Sequence, residues 1–441
     1  MDVAGQRHAA EAKQSAGLLT EEIGFDPADA KTALGQLPRD AAVFALYGAE
    51  AHTEPYVGRT PNLRSRLERL LQPSAKHPRR LQLAGRVRRI AWRLTGSEFE
   101  SLLVQFSLLE EIYGAKALER MHLRHPAFVR FLGSNAYPRV TVTFRPSQRE
   151  GDWAYGPFAS RAAAERYVDE ALKLFLLRRC TFELDPDPGY PGCVYSEMKM
   201  CLAPCFKGCT DERYAEEAAA VEGFLATRGE SRLVTLRAER EQASAALEFE
   251  RAAALHAQVQ KVEAVRGLAA ELVRPLSRLR AVILQASAKP DEVAVYLFEQ
   301  GRLRGPEGFS TLGMRIQNEQ SGSTSLFAQP MAIEPIPEER DQSRDQGSGV
   351  RDQGTPLRTA RSVLEARMEE VMVTLGDAEA ATATLRQGHL ALLKRWYYRP
   401  EARRAGEIFF PDGEGRWPVK ALLRGVGRVA AARLKAEGMA S

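Results

Sequence analysis

Five cysteines, Cys180, Cys193, Cys201, Cys205 and Cys209, fall within thirty residues of a 441-residue chain. Thiolates gathered on one short, loop-rich segment are what a soft metal or an iron–sulfur centre needs. Four thiolates also suit zinc, and a knot of reduced, partly buried thiols needs no ligand at all. A second set of chemical side chains lies upstream in EPYVGRTPNLRSRLERLL, residues 54–71, where Tyr-Val-Gly runs into Arg59, Arg64, Arg66 and Arg69. The basic residues continue through Lys76, Arg79, Arg80, Arg86, Arg88, Arg89 and Arg93, against the single acid Glu68. Such an excess favours a polyanion; the alternative is a solvated face.

These side chains need elements to position them. AAVFALYG and EPYVG read as two strands joined by a tight turn, and NLRSRLERLL as the helix that follows, a compact ββα start. RVRRIAWRL is expected to be another strand. SEFESLLVQFSLLEEIYGAKAL carries apolar residues at helical spacing behind Ser97 as N-cap, with Glu100 three residues on. VTVTF near 140 predicts a strand, and SRAAAERYVDEALKLF a helix opening on Ser160. Residues 211–272, which lack proline and hold few glycines, Gly223 and Gly229 among them, read as a helical hairpin, and 281–312 as strands. Between about 317 and 358 the composition collapses to Gln, Ser, Gly, Glu, Arg and Asp, with Arg-Asp-Gln recurring at 340, 344 and 351, which predicts a disordered insert. A helical pattern resumes from Leu357 to about Trp396.

The bulk numbers set limits. At 441 residues the chain predicts two to four domains. With 44% apolar and 27% charged residues it has a soluble globular balance, and a net charge of +5 says little beside its uneven distribution. No long apolar run suggests a membrane span or a secretory signal, so a cytoplasmic location is expected, where disulfides are disfavoured.

Four stretches then fall into one order over roughly residues 40–265. AAVFALYG with EPYVGRTPNLRSRLERLL is similar to a GIY-YIG nuclease domain. AYPRVTVT with YGPFASRAAAERYVDEALKLFLLRRC resembles the segment leading into a cysteine signature, and CVYSEMKMCLAPC resembles that signature itself. EQASAALEFERAAALHAQV looks like a UVR motif. Together they resemble UvrC, the C-subunit family of the bacterial UvrABC excinuclease. The resemblance implies an α+β fold divided into a polar leader (1–35), a small GIY-YIG ββα-type nuclease domain (36–120) and a cysteine-rich connector (121–210). A UVR helical hairpin (211–272), a strand-rich remnant (273–316), the insert (317–358) and a helical C-terminal segment (357–441) follow, as a reduced C-terminal α/β remnant. It implies nucleotide excision repair, the SOS response and DNA as a partner.

The same resemblance assigns residues. Tyr56 matches the second-strand tyrosine and Arg66 the arginine that meets the scissile phosphate, in a metal-dependent phosphodiester hydrolysis using Mg or Mn. Arg59, Asn62, Arg64, Arg69, Arg79, Arg80, Arg86, Arg88 and Arg89 would grip DNA. Cys180, Cys193, Cys201 and Cys205 match the ligands of a [4Fe–4S] cluster, with Cys209 outside the pattern. Leu247, Phe249, Ala252, Ala253 and Leu255 would form an apolar stripe that docks UvrB. Two catalytic positions depart from the family: Phe44 lacks the first-strand hydroxyl, and Gln105 replaces the metal-binding glutamate, a poor ligand for a hard cation. The family's asparagine aligns near Ala117. The expected function is therefore DNA binding with weak or absent cutting. The alternatives are an active single-incision endonuclease with Tyr47 as the substitute hydroxyl, and a non-catalytic protein that binds UvrB. Near the C-terminus LRGVGRVAAARL fits a helix–hairpin–helix, with the Gly425-Val426-Gly427 amides facing a phosphate; Asp291 and Asp377 lack a convincing acidic context.

Overall fold

A computed structural model describes residues 17–50, 53–71, 83–145, 151–312, 314, 360–376 and 381–438. Along the chain the first elements are β1 (Glu21–Gly24), α1 (Ala30–Gly35), β2 (Ala42–Gly48), β3 (Tyr56–Thr60), α2 (Leu63–Leu71), β4 (Val87–Leu94) and α3 (Glu98–Tyr113). Next come β5 (Ala127–Leu132), β6 (Arg139–Thr143), β7 (Asp152–Phe158), α4 (Arg161–Ala171), α5 (Asp211–Ala226), α6 (Glu230–Ala245), α7 (Phe249–Gly267) and β8 (Arg274–Pro275). The remainder holds β9 (Ala281–Ala286), β10 (Glu292–Glu299), β11 (Arg302–Ser310), α8 (Ala360–Gly376), α9 (Ala383–Tyr397), β12 (Glu407–Phe409) and α10 (Val419–Gly438). The architecture is mixed α+β: three antiparallel four-stranded sheets, ordered β1-β4-β2-β3, β6-β5-β7-β8 and β11-β10-β9-β12.

The chain forms two compact units. The first takes in residues up to Met121, Arg280–Ala380 and Glu401 onward; the second takes in His122–Leu279 and Ala381–Pro400. In the first unit, β2 is buried on both faces, and its side chains alternate with the period of two that a pleated strand imposes. Ala42, Phe44 and Leu46 pack with Leu63, Leu67 and Leu71, which recur every turn of α2. Val43 and Ala45 point the other way, toward Val104 and Leu108 of α3. Ser97 caps α3 by accepting the Glu100 backbone N–H at 3.1 Å, and the Glu100 carboxylate reaches back to the Gly96 N–H at 2.8 Å. The unit's other sheet buries Val282, Leu284, Val293 and Val295 against Met368 and Met372 of α8 and Leu422 and Val426 of α10.

The second unit builds one core from Val129 and Phe131 of β5, Tyr155 and Phe158 of β7, Tyr167 of α4, Phe224 of α5, Leu233 and Leu236 of α6, and Val259, Val262 and Val265 of α7. Helix α9 belongs to it, and just beyond that helix the Tyr398 hydroxyl donates to the Pro157 carbonyl at 2.9 Å.

Several sequence expectations need correction. The polar leader contributes a strand: β1 pairs with β4, Glu21 opposite Trp92 and Gly24 opposite Arg89. Residues 211–272 form three helices instead of a two-helix hairpin, because Gly229 takes φ +83° and ends the run after α5. The pattern from Leu357 to Trp396 is two helices, α8 and α9, that belong to different units. LRGVGRVAAARL lies inside the single helix α10, so the amides of Gly425, Val426 and Gly427 sit in its interior turns and not at a hairpin mouth. Strands β5, β7 and β12 were not anticipated. The insert at 317–358, together with Arg79, Arg80 and Asp377, lies outside the described residues.

Candidate nucleic-acid interface and cysteine site

The sheet β1-β4-β2-β3 divides its candidate residues between two faces. Phe44 stands opposite Gly58 and Leu46 opposite Tyr56 across β2 and β3, so Phe44 and Tyr56 share the α2 side, with ring centroids 6.2 Å apart. Phe44 is fully buried and its ring lies over Gly58, where a Cβ would come 2.6 Å from the ring's Cζ; only glycine fits beneath it. Val43 stands opposite Arg59, which places Arg59 on the α3 side, and its guanidinium pairs with Glu98 at 3.6 Å. Gln105 lies half-buried on α3 two turns beyond Glu98. Thus the acid that shares its helical face is engaged by an arginine, and the expected metal position offers a neutral amide. This donor set does not fit a hard divalent cation. Ala117, near which the resemblance would put an asparagine, is fully buried and apolar.

Much of the basic run is committed within the chain. Arg64 Nε donates to the Leu37 carbonyl at 2.6 Å, tying α2 to the end of α1. Arg69 donates to the Ser65 carbonyl, and Arg88 to the carbonyls of Gly85 and Val87. Arg89 pairs with Glu22 of β1 at 2.6 Å while lying 4.0 Å over the Tyr47 ring. Asn62 serves as the N-cap of α2: its Oδ1 accepts the Ser65 N–H at 2.9 Å. By contrast, among the described residues neither the Tyr56 hydroxyl nor the guanidinium groups of Arg66 and Arg86 has a hydrogen-bond or ion-pair partner. Tyr56 lies on the edge strand β3 and is exposed. Among the described residues of this region, these three groups are free to meet a phosphate.

The α6–α7 connection is built differently. The Glu248 N–H donates to the Ala243 carbonyl at 2.9 Å and the Leu247 N–H to the Ser244 carbonyl at 3.0 Å, a Schellman pattern closing α6. That pattern needs a left-handed residue, usually glycine, and here Leu247 holds φ +60°. Its side chain is 70% exposed and that of Phe249, two residues on, 68%. The five docking candidates do not form one outward stripe: Leu247, Phe249 and Ala253 face solvent, while Leu255 is buried and Ala252 packs against the core. The reason is helical spacing, since Leu255, Val259 and Val262 form the seam that α7 turns toward its own unit.

The cysteines sit on irregular chain between α4 and α5. Burial pushes the Cys201 thiol up to about 11, and the thiols of Cys180, Cys205 and Cys193 add to it. Burial also raises Cys205, with Cys193 adding to it. The Ala203 N–H donates to Cys201 Sγ at 3.3 Å. Cys209 is raised by burial and then by Asp211, with Cys205 adding a smaller part. Among the described residues no set of three or more His, Cys, Asp or Glu side chains closes on a point as a single metal ion requires.

Comparison with known sequences matches two stretches of the chain to family models. The profile described as "UvrC/Cho excinuclease, middle domain" matches residues 128–224, and the "UvrB/uvrC motif" matches 230–265. Over these stretches the chain is similar to UvrC proteins. It is similar to the UvrABC system protein C of Alcanivorax borkumensis, 31% identical over 242 residues, which make up 55% of this chain and 39% of that one. The proteins of the same name from Ruminiclostridium cellulolyticum and Symbiobacterium thermophilum are 27% identical over 302 residues and 29% over 275; these cover 68% and 62% of this chain, and 49% and 43% of theirs. This chain therefore spans half or less of the length of these relatives. No solved structure matches it.

On this UvrC-like scaffold the middle-domain match takes in all five cysteines, and the UVR match takes in α6, the Leu247 tip and most of α7. Sequence reasoning missed Arg178, which is buried beside Cys180. The signal was an arginine inside the apolar stretch FLLRRC. It also missed the clamp at the start of β3, where Tyr113 donates to the Pro55 carbonyl at 3.3 Å and Arg120 lies 3.5 Å over the Tyr113 ring while pairing with Glu54. Among the described residues no helix is long and apolar enough to cross a membrane.

Proposed function

We propose that this chain is a DNA-binding component of nucleotide excision repair that docks a UvrB-type partner through the α6–α7 tip and cuts DNA weakly or not at all. The observation that carries the reading is Leu247, an exposed leucine in a conformation that favours glycine. A solvent-facing leucine gains nothing in the free chain and costs roughly 1 kcal/mol of backbone strain there. Burial against an apolar partner would repay that cost, and Phe249 beside it widens the contact. Such a tip fits an equivalent helical hairpin on the partner.

DNA contact is assigned to Arg66 and Arg86 with Tyr56, whose polar groups are free among the described residues. Poor cutting follows from Phe44 and Gln105: position 44 of β2 offers no hydroxyl, Tyr47 of the same strand lies on the opposite face under Arg89, and the metal position holds an amide. The reading includes a [4Fe–4S] cluster on Cys180, Cys193, Cys201 and Cys205. Its support is the donor chemistry: four thiols on one short segment, one receiving a backbone N–H and one a guanidinium N–H. Bound there, the cluster would supply one-electron chemistry, while Cys201 and Cys205 must give up protons that burial makes them hold tightly.

The test is a 5′-labelled damaged duplex incubated with the purified chain, UvrA and UvrB, in Mg²⁺ and then Mn²⁺. The expected result is a salt-sensitive DNA shift and UvrB capture with no incision product. A discrete product band lost in Arg66→Ala would overturn the claim of poor cutting, and absence of UvrB capture would overturn the docking claim.

A further inference from the structure

Arg178 is 2% exposed, among the largest fully enclosed side chains of the protein. Its Nε donates to the Tyr137 carbonyl at 3.0 Å, and its Nη1 donates to the Phe182 carbonyl at 2.9 Å and to Cys180 Sγ at 3.6 Å. The backbone on either side is fixed as well, since the Arg178 N–H donates to the Tyr214 hydroxyl at 3.2 Å. Among the described residues no carboxylate lies within ion-pair distance of this guanidinium. Carbonyl oxygens satisfy its N–H groups but leave its charge unbalanced, and an arginine does not lose its proton. A second arginine, Arg139 of β6, is close enough that its guanidinium, destabilised first by burial, is destabilised further by Arg178 and relieved by Cys180. The interior next to Cys180 is thus built positive, and neutral thiols do not offset it. A cluster held by four thiolates does, because it is a net anion.

We propose that Arg178 is the fixed counter-charge of the cysteine site: its guanidinium positions the Cys180 sulfur and, with Arg139 in a lesser role, raises the reduction potential of the bound iron–sulfur cluster. The proposal rests on the cluster reading above. Adding one electron to the cluster makes it one charge more negative, and a fixed positive charge at hydrogen-bond distance from a ligand sulfur favours that state. Arg178 is therefore a positioning residue.

The experiment uses the full chain, purified without oxygen and reconstituted with ferrous iron and sulfide, as wild type, Arg178→Lys, Arg178→Met and Arg139→Gln. It measures iron and acid-labile sulfide per chain, the midpoint potential from visible absorbance during a dithionite titration, and the thermal transition of each metal-free chain. The expected order of midpoints is wild type highest, Arg139→Gln and Arg178→Lys slightly lower and Arg178→Met lowest, with Arg178→Met losing iron several-fold faster to a chelator. If wild type takes up no iron, the cluster reading fails and this proposal with it. If wild type loads and all variants share its midpoint and iron retention, the proposal alone is overturned. If both Arg178 variants fail to fold and Arg139→Gln keeps the wild-type midpoint, these arginines serve only the fold, which also overturns it.

Discussion

The α6–α7 tip and the β3 edge handle exposed side chains in opposite ways. At the tip, Leu247 and Phe249 are held outward without cover, and one of them bears backbone strain to stay there. Along the β1-β4-β2-β3 sheet and α2 most described arginines are bonded to carbonyls and carboxylates of their own unit, as Arg64 is to Leu37 and Arg89 to Glu22. The difference teaches where to look for a partner: not where charge or hydrophobicity is dense, but where a group's bonding capacity is left unused.

That comparison can be broken most forcefully at the tip. Leu247→Ser combined with Phe249→Ser should weaken UvrB capture by more than tenfold, with an unchanged thermal transition. Leu255→Ala should do the reverse, lowering stability by about 2–5 kcal/mol because it removes a core contact. The single change Leu247→Gly sharpens the point. It should leave stability level or up by ~0.5 kcal/mol in a urea melt, since relief of left-handed strain offsets glycine's added freedom, yet still lose capture.

The sheet side is tested by salt. Arg66→Ala and Arg86→Ala should each weaken DNA binding severalfold and reduce the slope of log K against log salt by about 1. Arg64→Ala, whose guanidinium is already committed, should leave that slope unchanged. Asn62→Ala should cost about 1 kcal/mol of stability through the lost cap and leave DNA affinity intact.

The smallest effect concerns pH. Burial raises the Glu100 carboxyl above its ordinary value, while the Gly96 N–H and Arg93 pull it partly back. The folded chain thus holds that proton more tightly than the unfolded one. The resulting stabilisation is complete below the unfolded value of about 4.3 and is lost as pH rises through the raised folded value. Relative to wild type, Glu100→Gln should therefore gain on the order of 1 kcal/mol or less between about pH 4 and neutrality in paired urea melts. A constant difference across that range would contradict it.

The parts legible in the sequence were those fixed by short-range rules. The alternation in AVFALYG, the Ser97 and Ser160 caps and the leucines of α2 each name their element locally. Asn62 as a cap was legible too, standing just before an apolar helical run, but its place in a basic stretch hid it. Strand β1 was not: EEIG is short, polar and an edge, and only its pairing with β4 makes it a strand. The candidate catalytic positions could be read only through resemblance, because nothing in the spacing of Phe44 and Gln105 shows that a hydroxyl or an acid is missing. Arg178 escaped because arginines are so seldom enclosed that burial is not an expectation for one. The left-handed turn at Leu247 escaped because leucine gives no sign of it.

The membership of α9 has a consequence for how the protein is made. Its residues Leu390, Leu392, Leu393 and Trp396 are buried in the second unit, whose other elements all end by Leu279. A ribosome therefore delivers the whole sheet, the cysteine segment and the α6–α7 hairpin before it delivers this last helix, and the unit cannot close until Pro400 has emerged. Nor can either unit be cut out as one uninterrupted stretch of gene, since each is resumed after the other begins. Fragments ending before residue 381 would display an uncovered apolar surface of their own making, and any stickiness they show belongs to the cut and not to the protein.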